Sequence, residues 1–395
     1  MPLVHMADML HHAYENHYAI GAFDVVSLDF IGGVMAAAEE QHAPVVISLA
    51  ESHFKYFDFE LLMAAVVRAA ERSTIPVAIH LDHGESLESA VRAVNLGCTG
   101  IMVDASNLPL GENIAHTRAV VDMAHACGIP VEGELGYVPG VEGEDAERHP
   151  GEVQYTTVDE ARRYIDETGA DFLAVSIGTV HGRMKGEPKL DIERLTQINQ
   201  ALKLPLVIHG GTGLREDQYR SLIDNGVTKI NYYTALADAA GQRIKGNVET
   251  ETNCNYTSHV NGVAEAVQHE AARCIDIWGC TGRADSILAS SRPWLPVEHV
   301  IFFNTEKLDM AATEDMMLEG RRVLGSIPGV QRVFTGHAVA ENSSYRHCWV
   351  VRFSARSVID RYREHPAHQH FADNRFRPYA GDRLSIDFEE CSTEK

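Results

Sequence analysis

A repeat of short apolar runs and amphipathic stretches is the feature that most constrains how this chain can fold. Eight apolar runs recur before residue 240, and most of them end in polar residues. They span residues 19–24, 44–50, 76–83, 100–106, 130–135, 172–178, 205–211 and 229–234. The stretches between them have helical length, and several close on glycine, as helices often do. This alternation of strands and helices predicts an α/β fold, the (β/α)8 TIM barrel.

A doubly wound open sheet is the competing interpretation, because it uses the same alternation of strands and helices. The two folds differ in where polar residues collect. Here polar residues stand at the C-terminal end of nearly every predicted strand, which is the end where a barrel assembles its active site. This distribution favours the barrel.

The tail of the chain has a different pattern. Residues 290–296 are rich in serine and proline, and this composition predicts a linker. Beyond it the predicted order is β-α-β-β-α-β, which is typical of a ferredoxin-like α+β domain. We therefore expect a barrel over residues 1–289 and a smaller domain over residues 297–395.

The charge of the chain bears on its partners. The sequence has 34 lysines and arginines against 56 aspartates and glutamates, a formal net charge of −22. Neither nucleic acid nor a membrane is expected as a partner, because both commonly present negative charge. An anionic substrate would need a local patch of hydrogen-bond donors. Scattered cysteines and an N-terminus without a signal-peptide pattern favour a cytoplasmic protein.

Three histidines stand at or just beyond the ends of predicted strands: His83 in HLDH, His181 in GTVHG and His209 in VIHGG. Strand ends of a barrel converge on one axial cleft, so these imidazoles are expected to meet. Three neutral imidazoles leave an open coordination position, which is typical of catalytic zinc. For any single histidine a surface or hydrogen-bonded core position is the simpler interpretation. Three in equivalent positions favour a metal site.

Four carboxylates accompany the histidines. Asp82 is a candidate catalytic residue, because a carboxylate beside a divalent metal can move a proton on a substrate hydroxyl. Its alternative role is to orient a histidine ligand. Asp104 and Glu134 end the fourth and fifth predicted strands and could hold a second divalent metal or balance the first. Glu142, in a predicted glycine-rich loop over residues 136–145, is a candidate mobile acid or base.

Glycine-rich turns near the last predicted strands suggest a phosphate site. The residues concerned are Gly210, Gly211 and Thr212 after the seventh strand, Asn231 and Thr234 at the eighth, and Gly182 and Lys185 after the sixth. Backbone N–H groups of such turns can close around an oxyanion, and barrels often bind phosphate there. A tight turn without a ligand is the alternative for any one of them.

Nine motifs carry a family resemblance. They are AFD (22–24), HLDH (80–83), MVDAS (102–106), EGELG (132–136), YTTVDEA (155–161), AVSIGTVHG (174–182), LVIHGGTG (206–213), KINYYT (229–234) and GCTGRA (279–284). In order and spacing, residues 1 to about 288 resemble the class II fructose- and tagatose-bisphosphate aldolases. The resemblance implies that His83, His181 and His209 bind a catalytic zinc. It implies that Asp82 is the proton donor to the aldehyde oxygen.

The same resemblance implies further roles. Asp104 and Glu134 would hold a second metal, and Glu142 would be the loop acid or base. The phosphate end of the substrate would lie on Gly182, Gly210, Thr212, Asn231 and Thr234, with a monovalent cation (Na⁺ or K⁺) nearby. Arg283 matches a family arginine that meets a second phosphate.

Three positions depart from the family pattern. Asp24 stands where asparagine is usual, Ala50 where a small polar residue is usual, and Tyr233 replaces a small or acidic residue near the substrate's hydroxyls. The metal end and the phosphate end therefore match the family, while the aldehyde end looks altered. These differences leave the predicted type of reaction unchanged but bear on which sugar is the substrate.

Residues from about 296 to 390 resemble the Dabb family of stress-responsive dimeric α/β barrels. The motifs are EHVIFFN (298–304), IPGV (327–330), REHPAHQHF (363–371), RPYA (377–380) and SIDFEE (385–390). Relatives pair two such sheets, so we expect a homo-oligomer, a dimer or a tetramer. His299 and His368 fall where a few relatives have the histidines of a cyclase. An oligomerisation module in which both histidines only form hydrogen bonds is the favoured interpretation.

These observations predict a class II aldolase, a carbon–carbon lyase. It would cleave a ketose bisphosphate or 1-phosphate reversibly to dihydroxyacetone phosphate and an aldehyde, through a zinc-bound enediolate. Two alternatives stay open from the sequence: another zinc-dependent barrel enzyme such as a hydrolase, or an inactive scaffold assembled through the tail.

Overall fold

The computed structural model describes residues 2–145, 154–183, 186, 188–250 and 255–389. Its larger part is a closed barrel of parallel strands, in the order β1-β10-β9-β7-β5-β4-β3-β2. The barrel strands are β1 (Ile20–Asp24), β2 (Val45–Ala50), β3 (Val77–Gly84), β4 (Gly100–Val103), β5 (Val131–Leu135), β7 (Phe172–Val175), β9 (Leu206–Ile208) and β10 (Val227–Tyr232). The predicted barrel is confirmed.

A helix follows each barrel strand, as the sequence pattern predicts, and further helices lie before the first strand and after the last of these helices. They are α1 (Met6–Glu15), α2 (Leu28–Glu40), α3 (Phe59–Arg72), α4 (Leu87–Leu96), α5 (Leu110–Ala126), α6 (Val158–Thr168), α7 (Ile192–Leu202), α8 (Glu216–Asp224), α9 (Thr234–Thr250), α10 (Tyr256–His259), α11 (Val263–Ile277) and α12 (Ala284–Ser290). Side chains of Ser27, Asp58 and Asp191 accept hydrogen bonds from backbone N–H groups in the first turns of α2, α3 and α7. These caps fix where the helices begin.

The barrel strands are apolar because both of their faces are covered. Every residue of β1, β2, β5 and β10 is buried, which is typical of parallel sheets flanked by helices. Trp278, which follows α11, stacks on Phe23 of β1 with ring centroids 5.8 Å apart. The polar residues that remain inside must therefore be paired with one another or exposed to the cleft.

A second compact unit consists mainly of the chain from Trp294 onward, a residue within the predicted linker, and also includes residues 91–97 and 122–129. Its antiparallel sheet has the order β12-β13-β11-β14. The elements are β11 (Val297–Thr305), α13 (Met310–Gly325), β12 (Val330–His337), β13 (His347–Phe353), α14 (Val358–Glu364), α15 (Pro366–Phe371) and β14 (Ala380–Glu389). The ferredoxin-like order is confirmed. Within the described residues, no helix has the length and apolar composition that crossing a membrane requires.

The structure corrects several local predictions. The segment predicted as a glycine-rich loop contains a strand, β6 (Gly140–Asp145), which pairs in parallel with β8 (His181–Arg183) outside the barrel. The eighth barrel strand begins at Val227, so Lys229 lies inside it and not at its start. The structure also adds a short helix to the tail, α15, which begins at Pro366 because proline is tolerated in the first turn of a helix.

Candidate active site

Three imidazoles meet at the carboxyl end of the barrel. His83 is the last residue but one of β3, His209 follows β9, and His181 begins β8. Nδ1 of His209 lies 2.9 Å from Nε2 of His83, and the ring centroids of His181 lie 5.1 Å and 5.8 Å from the other two. One nitrogen of each ring falls within 4.8 Å of the others, so the three predicted ligands converge on one point.

The backbone at His83 explains how two consecutive residues face the same cleft. In a regular strand, Asp82 and His83 would point to opposite faces. His83 instead has a φ of 47°, and the pairing of β3 with β4 shifts register between Leu81 and Gly84. A left-handed φ is uncommon and strained at a residue other than glycine, and active sites are one of the places where it recurs. Here it turns His83 toward the cleft beside Asp82.

The second nitrogen of each ring is already bonded to an acceptor. Asp104 lies 2.8 Å from Nδ1 of His83, and Glu132 lies 3.0 Å from Nε2 of His209. Nδ1 of His181 donates to the carbonyl of Val138 over 3.2 Å. In a neutral ring, a nitrogen that donates in this way leaves the other nitrogen unprotonated, as metal-binding histidines require.

Asp82 is held in the cleft by a buried hydrogen-bond chain. Nδ2 of Asn231 donates to Oδ1 of Asp82 over 2.7 Å, and Nζ of Lys229 donates to Oδ1 of Asn231 over 2.6 Å. Burial works against the charged form of Asp82, but the neighbouring His83, His209 and Lys229 lower its pKa below the usual range. Asp82 is therefore a carboxylate, able to accept a proton.

A second group of possible ligands adjoins the first. Oxygens of Asp104 and Glu134 lie within 4.8 Å of a nitrogen of His83 and of each other. Burial raises the pKa of Glu134 well above its usual value, and the nearby Asp104 adds to the shift. Burial alone would lower the pKa of His83, but Asp82 and Asp104 raise it well above normal. The carboxyl groups around His83 thus favour a positive charge on or beside its ring. A proton and a metal ion would compete for the same ring nitrogen.

The predicted phosphate turns lie side by side, since β9 pairs with β10. Gly210 and Gly211 are buried, and Thr212 is half-buried. Thr234 begins α9, and its hydroxyl accepts a hydrogen bond from N–H of Gly143 over 3.0 Å. A helix N-terminus beside a glycine-rich turn offers several backbone donors to an anion.

The remaining predicted residues have different placements. Gly182 lies in β8, next to His181. Lys185 falls outside the described residues, and so does the side chain of Glu142, whose backbone lies in β6. Asn231 bonds to Asp82 and Lys229 in this structure, and its predicted contact with a phosphate stays a prediction.

The structure does not bring Arg283 to the cleft of its own chain. Its guanidinium lies 5.0 Å from the ring centroid of Tyr18, which precedes β1. The next residue, Ala284, donates its N–H to the carbonyl of His42 in the turn between α2 and β2. Arg283 therefore lies at the amino end of the barrel, opposite the histidines. The sequence could not show this, because a motif match gives no direction in space.

Comparison with known proteins agrees with this geometry. Residues 4–283 match the family described as "Fructose-bisphosphate aldolase class-II". The chain is 35% identical to the fructose-bisphosphate aldolase of Staphylococcus aureus over 288 residues, 72% of this chain and all of that protein. This chain belongs to the class II fructose-bisphosphate aldolase family. It is accordingly an aldolase, a carbon–carbon lyase, and the hydrolase and scaffold alternatives lose their support.

Two further relatives of this aldolase are informative. It is 41% identical to a protein of Bacillus subtilis named "Probable fructose-bisphosphate aldolase", over 59% of this chain and 82% of the relative. The crystal structure of the YdjI aldolase from Escherichia coli K12 superposes with a TM-score of 0.64 at 34% identity, covering 71% of this chain and 99% of that one. Residues 297–390 match the "Stress responsive A/B Barrel Domain" family, which confirms the second predicted resemblance.

Three buried residues of the aldolase's interior escaped sequence reasoning: His80, Glu132 and Lys229. Nζ of Lys229 lies 2.8 Å from Oε2 of Glu132. Burial would raise the pKa of Glu132, but Lys229 and the hydrogen bond from His209 lower it to about 2. The sequence did contain a signal for these three residues. Each lies two residues before a polar residue and therefore on the same face of its strand: His80 before Asp82, Glu132 before Glu134 and Lys229 before Asn231.

The two tail histidines have hydrogen-bond partners. Nδ1 of His299 lies 2.5 Å from Oδ1 of Asp387, and Nδ1 of His368 donates to the carbonyl of Arg363. Both rings pack on Tyr362, with centroid distances of 6.1 Å and 4.3 Å. These contacts fit the structural interpretation of the two histidines.

Proposed function

We propose that this aldolase binds zinc through His83, His181 and His209 and reversibly cleaves a ketose phosphate to dihydroxyacetone phosphate and an aldehyde. The observation that carries the proposal is the convergence of three imidazole nitrogens, all within 4.8 Å of one another. Three nitrogen ligands suit zinc and leave a coordination position for substrate. Several relatives are named for fructose bisphosphate, which supports a ketose phosphate as the substrate class.

The residues present fit a metal ion. Among the described residues, no hydrogen-bond partner faces the buried Nε2 of His181. A buried polar atom without a partner is costly, and a metal ion at this point would satisfy it. The bound ion would act as a Lewis acid that polarises the substrate's carbonyl.

Asp82 is the proposed acid–base group. In cleavage it accepts the proton of the hydroxyl that becomes the aldehyde oxygen, and in condensation it returns that proton. The bond between C3 and C4 of the ketose breaks, and the proton that C3 gains balances the one that the hydroxyl loses. Asn231 and Lys229 hold the carboxylate in place.

The other predicted ligands complete the proposal. Asp104 and Glu134 would hold a second divalent metal, and Glu142 would act as a further acid or base. The substrate's phosphate would bind the turns after β9 and β10, with Gly182 and Lys185 at their rim and a monovalent cation nearby. A cytoplasmic location is proposed from the sequence.

A homo-oligomer formed through the second unit is also proposed. One face of its sheet carries exposed apolar side chains. They are Phe302, Phe334, Leu384, Ile386 and Phe388, each between 40% and 51% exposed. Strand register places Phe302 opposite Leu384 and Val300 opposite Ile386. A contiguous apolar face of this kind is typical of an interface between subunits.

Metal analysis combined with an activity assay tests the enzyme mechanism. The purified chain should contain tightly bound zinc and should release dihydroxyacetone phosphate from a ketose phosphate. A chelator should abolish the activity, and zinc should restore it. His209→Ala should lose both zinc and activity, whereas His11→Ala, a change at an exposed histidine of α1, should lose neither. Stoichiometric zinc in alanine variants of all three ligands would contradict the assignment.

A further inference from the structure

The two halves of the barrel mouth have different chemistry. The first half carries the phosphate turns, which follow β9 and β10. The second half is formed by β2 to β5, because in the order of the closed barrel β3 and β4 lie across from β9 and β10. The histidines lie between the halves. A ketose phosphate with its phosphate on the turns and its reacting carbons at the histidines would extend its remaining carbons over β2 to β5.

A cavity of about 620 Å³ occupies this second half. Its size suits a small sugar fragment. The lining residues come from the ends of β2 to β5 and the segments after them, together with His83, Gly140 and His181. The cavity is therefore continuous with the proposed metal-binding histidines, and we identify it as the subsite for the aldehyde fragment.

Three carboxyl groups line the cavity. They are Glu85, Asp104 and Glu134, and within the described part of the chain the lining includes neither lysine nor arginine. Lys55 is exposed nearby, but its ammonium lies over the ring of Tyr56 and does not line the cavity. Arg283 lies at the other end of the barrel. Beyond the proposed metal-binding histidines, a phosphate in this cavity would meet carboxyl groups and neither lysine nor arginine of the described residues, which is unfavourable.

The other polar groups of the lining suit hydroxyls. Ser52, Asn107, His116 and Tyr137 offer hydrogen-bond donors and acceptors, and the first three are exposed at the mouth. We propose that the aldehyde fragment is an unphosphorylated hydroxyaldehyde, so that this aldolase prefers ketose 1-phosphates over ketose bisphosphates. The inference rests on the proposed function and narrows its substrate class.

Matched pairs of aldehydes test the inference on the full-length, zinc-loaded protein. Dihydroxyacetone phosphate is condensed with glyceraldehyde or glyceraldehyde 3-phosphate, and with erythrose or erythrose 4-phosphate. We expect kcat/KM to be at least tenfold higher for the unphosphorylated member of each pair. A higher value for the phosphorylated members would overturn the inference and leave the aldolase assignment intact. No condensation with any aldehyde would instead overturn the proposed function, and the inference with it.

Charge variants at the rim test the stated cause. Glu85→Gln and Ser52→Arg each make the cavity less negative, so each should raise the rate with a phosphorylated aldehyde relative to its unphosphorylated partner. Glu71→Gln is the matched control, because Glu71 is an exposed residue near the end of α3 and pairs with Arg68 outside the cavity. Added salt should reduce the discrimination in the unmodified enzyme. An unchanged ratio in both rim variants would contradict the electrostatic explanation on which the inference rests.

Discussion

At the scale of single residues, a chain of buried contacts links a proposed zinc ligand to the proposed acid–base carboxylate. His209 bonds to Glu132, Glu132 pairs with Lys229, and Lys229 reaches Asp82 through Asn231. Lys229 is fully buried, and a buried ammonium is tolerated only when it is paired. The lysine therefore positions both halves of the site without contacting the reacting atoms.

Removing this ammonium should impair turnover. We expect Lys229→Met to lower kcat by roughly 10–100-fold, the range that supporting residues of metal sites show. The expected cause is that Asn231 and Asp82 lose their orientation, so kcat should fall more than KM rises. Kinetics on zinc-loaded protein, with Asp82→Ala as the reference for complete loss of the carboxylate, measure the effect.

The single variant also leaves Glu132 buried without its cation, which costs about 3–5 kcal/mol of stability. Combining Lys229→Met with Glu132→Gln removes both charges and should recover much of that loss. The rate should stay low in the combined variant. If stability and rate recovered together, Lys229 would have a structural role only.

At the scale of elements, the site depends on close contacts between backbone segments. Gly210, in the turn after β9, lies against the carbonyl of Val180, the residue before His181. A Cβ atom at Gly210 would lie 2.1 Å from that oxygen, and its φ of 67° already favours glycine. The two segments that carry His181 and His209 can therefore approach each other only through this glycine.

Gly210→Ala should consequently reduce stability and zinc affinity together. Gly213→Ala is the control, because Gly213 also has a positive φ, 88°, but nothing lies within 4 Å of the position that a Cβ atom would take there. Strain at φ alone costs on the order of 1 kcal/mol, so any larger loss reports the contact with Val180. Thermal unfolding and zinc titration would show the difference, and equal losses in the two variants would argue against the contact.

At the scale of the whole molecule, the chain joins an aldolase barrel to a unit with an unusual surface. The barrel contains the candidate metal and acid–base residues, whereas the outer sheet face of the second unit is apolar. Rows of cross-strand neighbours share this face, among them Phe334, Val350, Val300 and Ile386. An exposed apolar sheet is a liability in a lone subunit and is expected to be covered.

Ile386→Glu should therefore weaken self-association. A buried charge at a subunit interface lacks a partner, so the mass measured by light scattering should fall toward that of one chain. Leu318→Glu is the control, because Leu318 is 61% exposed on α13 and away from the sheet. Zinc content should stay the same in both variants. An unchanged mass for Ile386→Glu would contradict assembly through this face.

The local sequence pattern was sufficient to predict the architecture and to choose the three histidines as candidate metal ligands. Alternating apolar runs and amphipathic stretches predicted the barrel, because parallel strands buried on both faces must be continuously apolar. His83, His181 and His209 could be chosen because strand ends in a barrel share one cleft. The strand β6 was missed, because its glycines carry no strand propensity and its pairing with β8 is made by residues distant in sequence.

Roles that depend on distance and direction were decided only by the tertiary structure. The sequence predicts Asn231 as a phosphate ligand, and only packing shows that it also bonds to Asp82. Arg283 is predicted as a substrate ligand, but within its own chain it lies at the end of the barrel opposite the histidines. Glu132 and Lys229 look like ordinary charged residues until the barrel closes and brings them together. Residue types reveal which chemistry is available, but only the closed fold sets the distances that decide which groups interact.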